Sequence, residues 1–279
     1  LPVGTFDNEP IRRYLRSIYT MKGRTDDFRE LRAKLFVVAA DLERGRPVVF
    51  GSESWRHVPI SRAIQASAAL PGLYAPVEID GRHFVDGVLL KTLHASTALD
   101  AGVKLLFCIN PIVPVDVSEI EPQTSPPREG EELFDLELRG LPTVLSQTFR
   151  TLIHSRLVVG MKGYGRRYPD AEVLLFEPDR DDYRMFFANV FSFSARRKVA
   201  ASAYRSMRRD LLERSDDLAP ILRRSGLRLR REVLEDETRD LWEGVGLPSD
   251  DGGTATERTL LRLDRTLDRA ERLLRDRAG

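Results

Sequence analysis

The spacing of apolar positions changes several times along the chain, and each change marks an element. Glu9–Tyr19 places Ile11, Tyr14, Leu15 and Ile18 at helical spacing, with Asn8 or Asp7 available as N-cap. Residues 34–40 (KLFVVAA) then form a short, nearly continuous apolar run, as a strand covered on both faces requires. Arg46–Phe50 follows a turn at Gly45 and predicts a second strand. Residues 61–70 predict a small-residue helix capped by Ser61 and stopped by Pro71-Gly72. Residues 76–79 and 82–85 flank Asp80-Gly81, a strong hairpin signal because a type I′ turn needs positive φ at both central positions. Residues 92–101 predict a helix ending at Gly102, and residues 104–109 (KLLFCI) another buried strand. Helix and strand therefore alternate, which predicts an α/β fold with helices on the faces of a sheet.

The texture changes at residue 111. As far as residue 140 the chain is Pro-rich, acidic and aperiodic, the pattern of a long surface loop. A helix is expected over 143–159, a strand over Glu172–Phe176 and a strongly basic helix over 195–212. Beyond residue 215 the pattern is helical and highly charged. In the last helix, 257–277, Leu260, Leu263, Leu267, Ala270 and Leu274 fall at spacings of 3, 4, 3 and 4. That stripe suits docking on the chain's own body, self-association through a partner helix, or a membrane surface.

Composition narrows the function. The 279 residues are 42% hydrophobic and 31% charged with a net charge of +1, which describes a globular protein and not a dedicated nucleic-acid binder. Charge is uneven, however. Residues 116–137 carry eight acids and one Arg, and residues 139–209 carry fourteen Lys/Arg against six acids. No apolar stretch is long enough to cross a bilayer. The first residues carry no charged start followed by an apolar run, so they do not form a signal peptide. A chain that starts at Leu1 is expected to have lost something upstream. Cys108 is the single cysteine, which excludes an internal disulfide and fits a reducing, cytoplasmic compartment. His57, His83, His94 and His154 share no metal-ligand spacing, and no phosphate-cradling glycine loop occurs, so no metal and no cofactor is expected. The glycines and basic residues at 161–167 read as a solvated loop, with phosphate binding as the alternative. The clusters Arg196-Arg197-Lys198, Arg208-Arg209 and Arg223-Arg224 fit either exposed helix faces or peripheral contact with anionic lipid.

One acidic residue stands out. Asp80-Gly81 is explained by its hairpin turn, but Asp86-Gly87 follows the hairpin's second strand. A carboxylate there is either another turn residue or a rigidly presented reactive group. Residues 61–88, SRAIQASAALPGLYAPVEIDGRHFVDGV, resemble the distal half of a patatin-like phospholipase domain: the Ala-Ser-Ala-Ala-Leu-Pro-Gly-Leu-Tyr stretch, the Asp-Gly hairpin, then Asp86-Gly87-Val88 in place of Asp-Gly-Gly/Ala. Residues 1–8, 28–41 and 141–209 are similar to that family as well.

The resemblance implies a three-layer α/β/α core, partial here, and a serine acyl hydrolase working through a Ser–Asp dyad. Asp86 would take the proton of the serine hydroxyl directly as it attacks a lipid ester, and a Gly-rich loop would hold the oxyanion. Gly87 would allow close backbone approach. Val88, where Gly or Ala is usual, crowds the motif. The substrate would be a phospholipid or acylglycerol, with Leu73, Tyr74 and Phe84 as guesses for the acyl pocket. The Gly-x-Ser-x-Gly nucleophile elbow is missing: Gly51-Ser52-Glu53-Ser54-Trp55 comes nearest and fails, and Ser17, Ser61, Ser67 and Ser96 do not fit. The nucleophile and oxyanion loop are therefore expected upstream of Leu1, within about a hundred further residues. Residues 34–40 and 104–109 would then lack neighbouring strands. The expected organisation is the distal core over 1–112, an acidic loop over 113–140, a helical completion over 141–214 and a charged helical extension over 215–279. Two other readings are a non-catalytic lipid-binding or scaffolding protein with the same fold, and an anionic-polymer binder using residues 139–209.

Overall fold

A computed structural model describes residues 3–114, 141–178 and 195–246. The chain divides into two compact units, one formed by Leu1–Pro114 with Glu119–Glu177 and the other by Val115–Ser118 with Pro178–Gly279. The acidic loop reading and the leucine stripe of 257–277 lie outside the described residues, apart from residues 111–114.

The first unit opens with α1 (Glu9–Tyr19), which has Pro10 in its first turn, where a missing N–H costs nothing. Of the two cap candidates Asp7 takes the role, its Oδ1 accepting from the Glu9 N–H at 2.8 Å. Asn8 is used sideways instead. Its Nδ2 donates to the Gln65 carbonyl and its Oδ1 accepts from Gln65 Nε2, which ties α1 to α2 (Ile60–Ser67) through a buried amide pair.

Strands β1 (Val37–Asp41), β2 (Arg46–Phe50), β3 (Val77–Ile79) and β4 (Arg82–Asp86) form one antiparallel sheet in the order β2-β1-β4-β3. Asp80 and Gly81 both have positive φ, 50° and 72°, as the type I′ hairpin demands. β1 pairs on both edges, contrary to the expectation that the run around residues 34–40 would lack neighbours. Those neighbours come from β2 and β4 of the same chain, which local hairpins bring alongside.

The small residues of α2 let that helix lie close on β1 and β4. Ala63 and Ala66 are wholly buried beside Ala39, Phe50 and Phe84. Phe50, Trp55 and Phe84 meet edge-to-face at 5.4–5.6 Å. Ser61 does not cap α2 as expected. It sits inside the first turn, where its N–H and hydroxyl both donate to the Asp26 carboxylate at 2.7 Å. An acid from a distant loop fills the role because it also favours the positive end of the helix dipole.

A second layer holds α3 (Ala95–Asp100), α4 (Leu141–Arg167) and a parallel pair, β5 (Leu105–Ile109) with β6 (Glu172–Phe176). Ala95, Leu99, Cys108 and Tyr164 are its buried core. Two expectations need correcting here. Residues 104–109 do not form a fully buried strand: Cys108 points inward, while Phe107 and Ile109 are exposed, since β5 pairs only with β6 among the described residues. Residues 161–167 are not a loop. α4 runs on to Arg167 through Gly160, Gly163 and Gly165, each costing about 1 kcal/mol relative to Ala. Burial of Tyr164 and packing of Met161 and Tyr168 on the second core offset that cost.

The second unit contains α5 (Ala195–Glu213), α6 (Ser215–Arg224), α7 (Arg231–Glu235) and α8 (Leu241–Gly244). Leu218 and Leu222 of α6 are buried. Two of its basic residues are taken up internally. The Arg208 guanidinium donates to the carbonyls of Val233, Leu234, Asp236 and Arg239, and Arg197 stacks over Trp242 at 4.5 Å. Among the described residues no helix is long and apolar enough to cross a membrane.

Candidate active site

β4 delivers Asp86 to the end of the sheet. Asp86 lies opposite Ala39 of β1, and its N–H donates to the Ala69 carbonyl at 3.0 Å. The chain then turns at once into a short 3-10 segment, Gly87–Leu89, where the Val88 N–H donates to Asp86 Oδ1 at 2.9 Å. Among the described residues Oδ2 has no hydrogen-bond partner. The half-buried carboxyl titrates above its ordinary value because burial disfavours the charged form. The Val88 N–H and the nearby His94 work against that shift.

Gly87 is required by contact, not by backbone conformation. A Cβ at this position would lie 2.8 Å from the Val38 carbonyl oxygen and 3.2 Å from His94 Nε2. The Val38 oxygen is itself held by the Ser67 hydroxyl at 2.8 Å. His94 Nε2 donates to the Gly87 carbonyl at 3.1 Å, which assigns the ring proton to Nε2. Burial lowers the His94 pKa, the Gly87 bond opposes this and Lys91 adds to it. His94 was not marked by any spacing in the sequence.

The segment after Asp86 is braced along its length by α4. Arg156 Nη1 donates to the Leu89 carbonyl, the Thr92 hydroxyl to the Ile153 carbonyl at 2.6 Å, and the Tyr164 hydroxyl to the Leu93 carbonyl at 2.8 Å. Lys91 sits over the Tyr164 ring at 4.8 Å and donates to Ser96 Oγ at 3.1 Å. The arrangement presents one partly desolvated carboxylate with one oxygen oriented by a backbone N–H and the other without a hydrogen-bond partner among the described residues. That is the form a general base takes.

The serines considered from sequence are engaged elsewhere. The hydroxyls of Ser17, Ser52, Ser61 and Ser67 donate to Tyr14, Val49, Asp26 and Val38. None is hydrogen-bonded to Asp86. Of the guessed pocket residues, Phe84 is wholly buried in the first core and Tyr74 is partly buried against it. The Leu73 carbonyl holds the Thr5 and Phe6 N–H groups. Among the described residues no cluster of three His, Cys, Asp or Glu could hold a metal ion.

Similarity to known families bears on the first part of the chain. Residues 2–99 match the family profile described as patatin-like phospholipase. The matched stretch contains the four-stranded antiparallel sheet, α1, α2 and Asp86-Gly87-Val88. The chain is also 36% identical over 73 residues to uncharacterized NTE family proteins of Mycobacterium bovis and Mycobacterium tuberculosis. That alignment covers 26% of this chain and 19% of each relative, so the chain spans about a fifth of the length of the curated relatives it matches. The α/β architecture with a helical C-terminal part accords with a patatin-like fold.

Proposed function

We propose that this chain supplies the general base of a lipid acyl hydrolase, with Asp86 as base and a serine upstream of Leu1 as nucleophile. The observation that carries the reading is the Asp86 carboxyl itself. It is half-buried, raised in pKa, fixed through Oδ1 by the Val88 N–H and without a hydrogen-bond partner at Oδ2 among the described residues. A base with its pKa moved toward working pH transfers a proton more effectively than an ordinary surface carboxylate. The serine Oγ attacks the ester carbonyl while its proton passes to Asp86 Oδ2. The resulting tetrahedral oxyanion collapses, expels the alcohol with return of the proton, and leaves an acyl-serine for water to hydrolyse. Gly87 keeps the Asp86 turn against β1, and Val88 contributes the N–H that orients the carboxylate. The ester belongs to a phospholipid or acylglycerol met at a membrane surface.

The test is fluorophosphonate labelling of the natural polypeptide and of its Asp86→Asn variant, with the labelled serine located by peptide mass spectrometry. Labelling of one serine upstream of Leu1, abolished in the variant, is the expected result. Labelling that ignores Asp86, or that falls on a serine within these 279 residues, refutes the assignment.

A further inference from the structure

α4 has two unlike sides. Ile153, Leu157 and Tyr164 are buried on one. On the other, Leu145, Leu152 and Val159 recur every seven residues, close to two helical turns, and so line a single stripe about 21 Å long. They are 56%, 58% and 71% exposed, with Val144 and Val158 exposed beside them. A helix that is apolar on both sides has an environment other than water waiting on one of them.

Charge says which environment. The 27 residues of α4 include Arg150, Arg156, Lys162, Arg166 and Arg167 and not one Asp or Glu, in a chain whose acids and bases are otherwise almost equal in number. Arg166 continues the seven-residue stripe, and Lys162 lies one turn before it. Neither has an ion-pair partner among the described residues. Apolar side chains in one line followed by unpaired cations, without acids, describe a helix that lies in the interface of a bilayer containing anionic lipid.

We infer that the outer face of α4 is a docking surface for an anionic phospholipid bilayer. The surface stands on these observations alone; only its purpose, bringing the Asp86 turn to a lipid ester, rests on the reading of the chain as a lipid hydrolase. α4 is suited to that purpose because Arg156, the Ile153 carbonyl and Tyr164 bond directly to the segment that follows Asp86. The helices from Ala195 onward are the less suitable surface, since Arg197 and Arg208 are engaged within their own unit.

The test is flotation of the full chain with vesicles of phosphatidylcholine alone and of phosphatidylcholine mixed with phosphatidylglycerol. It requires no ester cleavage, so its failure is distinct from failure of the hydrolase reading. The expected result is binding to the mixed vesicles that falls at least about tenfold in the Leu145→Asp/Leu152→Asp double variant and severalfold in Lys162→Glu/Arg166→Glu. Unchanged melting of both variants verifies their fold. A second measurement uses Leu152→Cys in a Cys108→Ser background, labelled with a polarity-sensitive dye, and expects a blue shift only when mixed vesicles are added. Equal binding of the variants, or none by the parent, overturns the inference. So does a dye already shifted without lipid, or a dimer that Leu152→Asp dissociates, because either result means that protein covers the face.

Discussion

Adding one methyl group at Gly87 and one at Gly160 should move stability in opposite directions, although both substitutions are Gly→Ala. At Gly87 the new carbon would stand 2.8 Å from the Val38 carbonyl oxygen and 3.2 Å from His94 Nε2. An ordinary carbon–oxygen contact is several tenths of an ångström longer than the first of these, so something must move. The Val38 oxygen belongs to backbone and is held by Ser67, and Gly87 is fastened through its own carbonyl by His94. Overpacking of a site that cannot relax costs about 1–3 kcal/mol. At Gly160 nothing lies within 4 Å of the added carbon, and the helix gains about 1 kcal/mol from the better helix former. For a unit of this size 1 kcal/mol corresponds to a shift in Tm of about 2–4 °C. Gly87→Ala should therefore melt roughly 2–12 °C lower and Gly160→Ala a few degrees higher, by differential scanning calorimetry with reversibility verified. The same Gly87→Ala variant should lose Asp86-dependent serine labelling, because the methyl displaces the turn that orients the carboxylate. A Gly87→Ala protein that melts at or above the parent temperature refutes the packing of the Asp86 turn described above.

Three further outcomes are open to measurement. Asp41, wholly buried at the end of β1, forms an ion pair with Arg82 at 3.0 Å and accepts from Arg44 at 3.3 Å, so Asp41→Ala strands Arg82 against Trp55 and should cost about 3 kcal/mol in urea unfolding. The raised Asp86 pKa means that between 3.8 and its folded value the native state binds more protons than the unfolded one. Stability therefore falls as pH rises through that window, and Asp86→Asn should melt above the parent at pH 7 with the difference disappearing below pH 3.8. The exposed Glu43 carboxylate, which accepts from His83 Nδ1 and the His83 N–H, is held at about 2. Its carbon-13 carboxyl titration should sit there and climb toward 4.5 in His83→Ala. This depressed pKa contributes stability above 4.5 that is lost as pH falls through about 2.

Local rules made much of the architecture readable. Glu9–Tyr19, Arg46–Phe50, Glu172–Phe176 and the Asp80-Gly81 hairpin follow from periodicity and turn chemistry, which act over a few residues. Asp86 stood out as a candidate for the same reason: one Asp-Gly pair had a hairpin to explain it and the other did not. Where the reading failed, a distant group intervened. Residues 161–167 look like a loop because Gly163 and Gly165 fall among basic residues just after Gly160, but the burial of Tyr164 against Leu93 keeps them helical. Ser61 looks like a cap until Asp26 arrives from 35 positions away.

What the sequence by itself determined is most of the elements, the choice of Asp86 as a candidate base and the likeness to a patatin-like segment, because each depends on neighbours along the chain. The environment of that base was decided only by tertiary structure. His94, Ser67 and Val38 converge on Gly87 through β-sheet register and helix packing, and α4 reaches the same turn from more than sixty residues away. A pKa depends on burial and on charges in space, and the choice of which arginines remain unpaired depends on which carbonyls and rings the fold brings to them. Neither the shift from the ordinary value nor that choice exists in an unfolded chain.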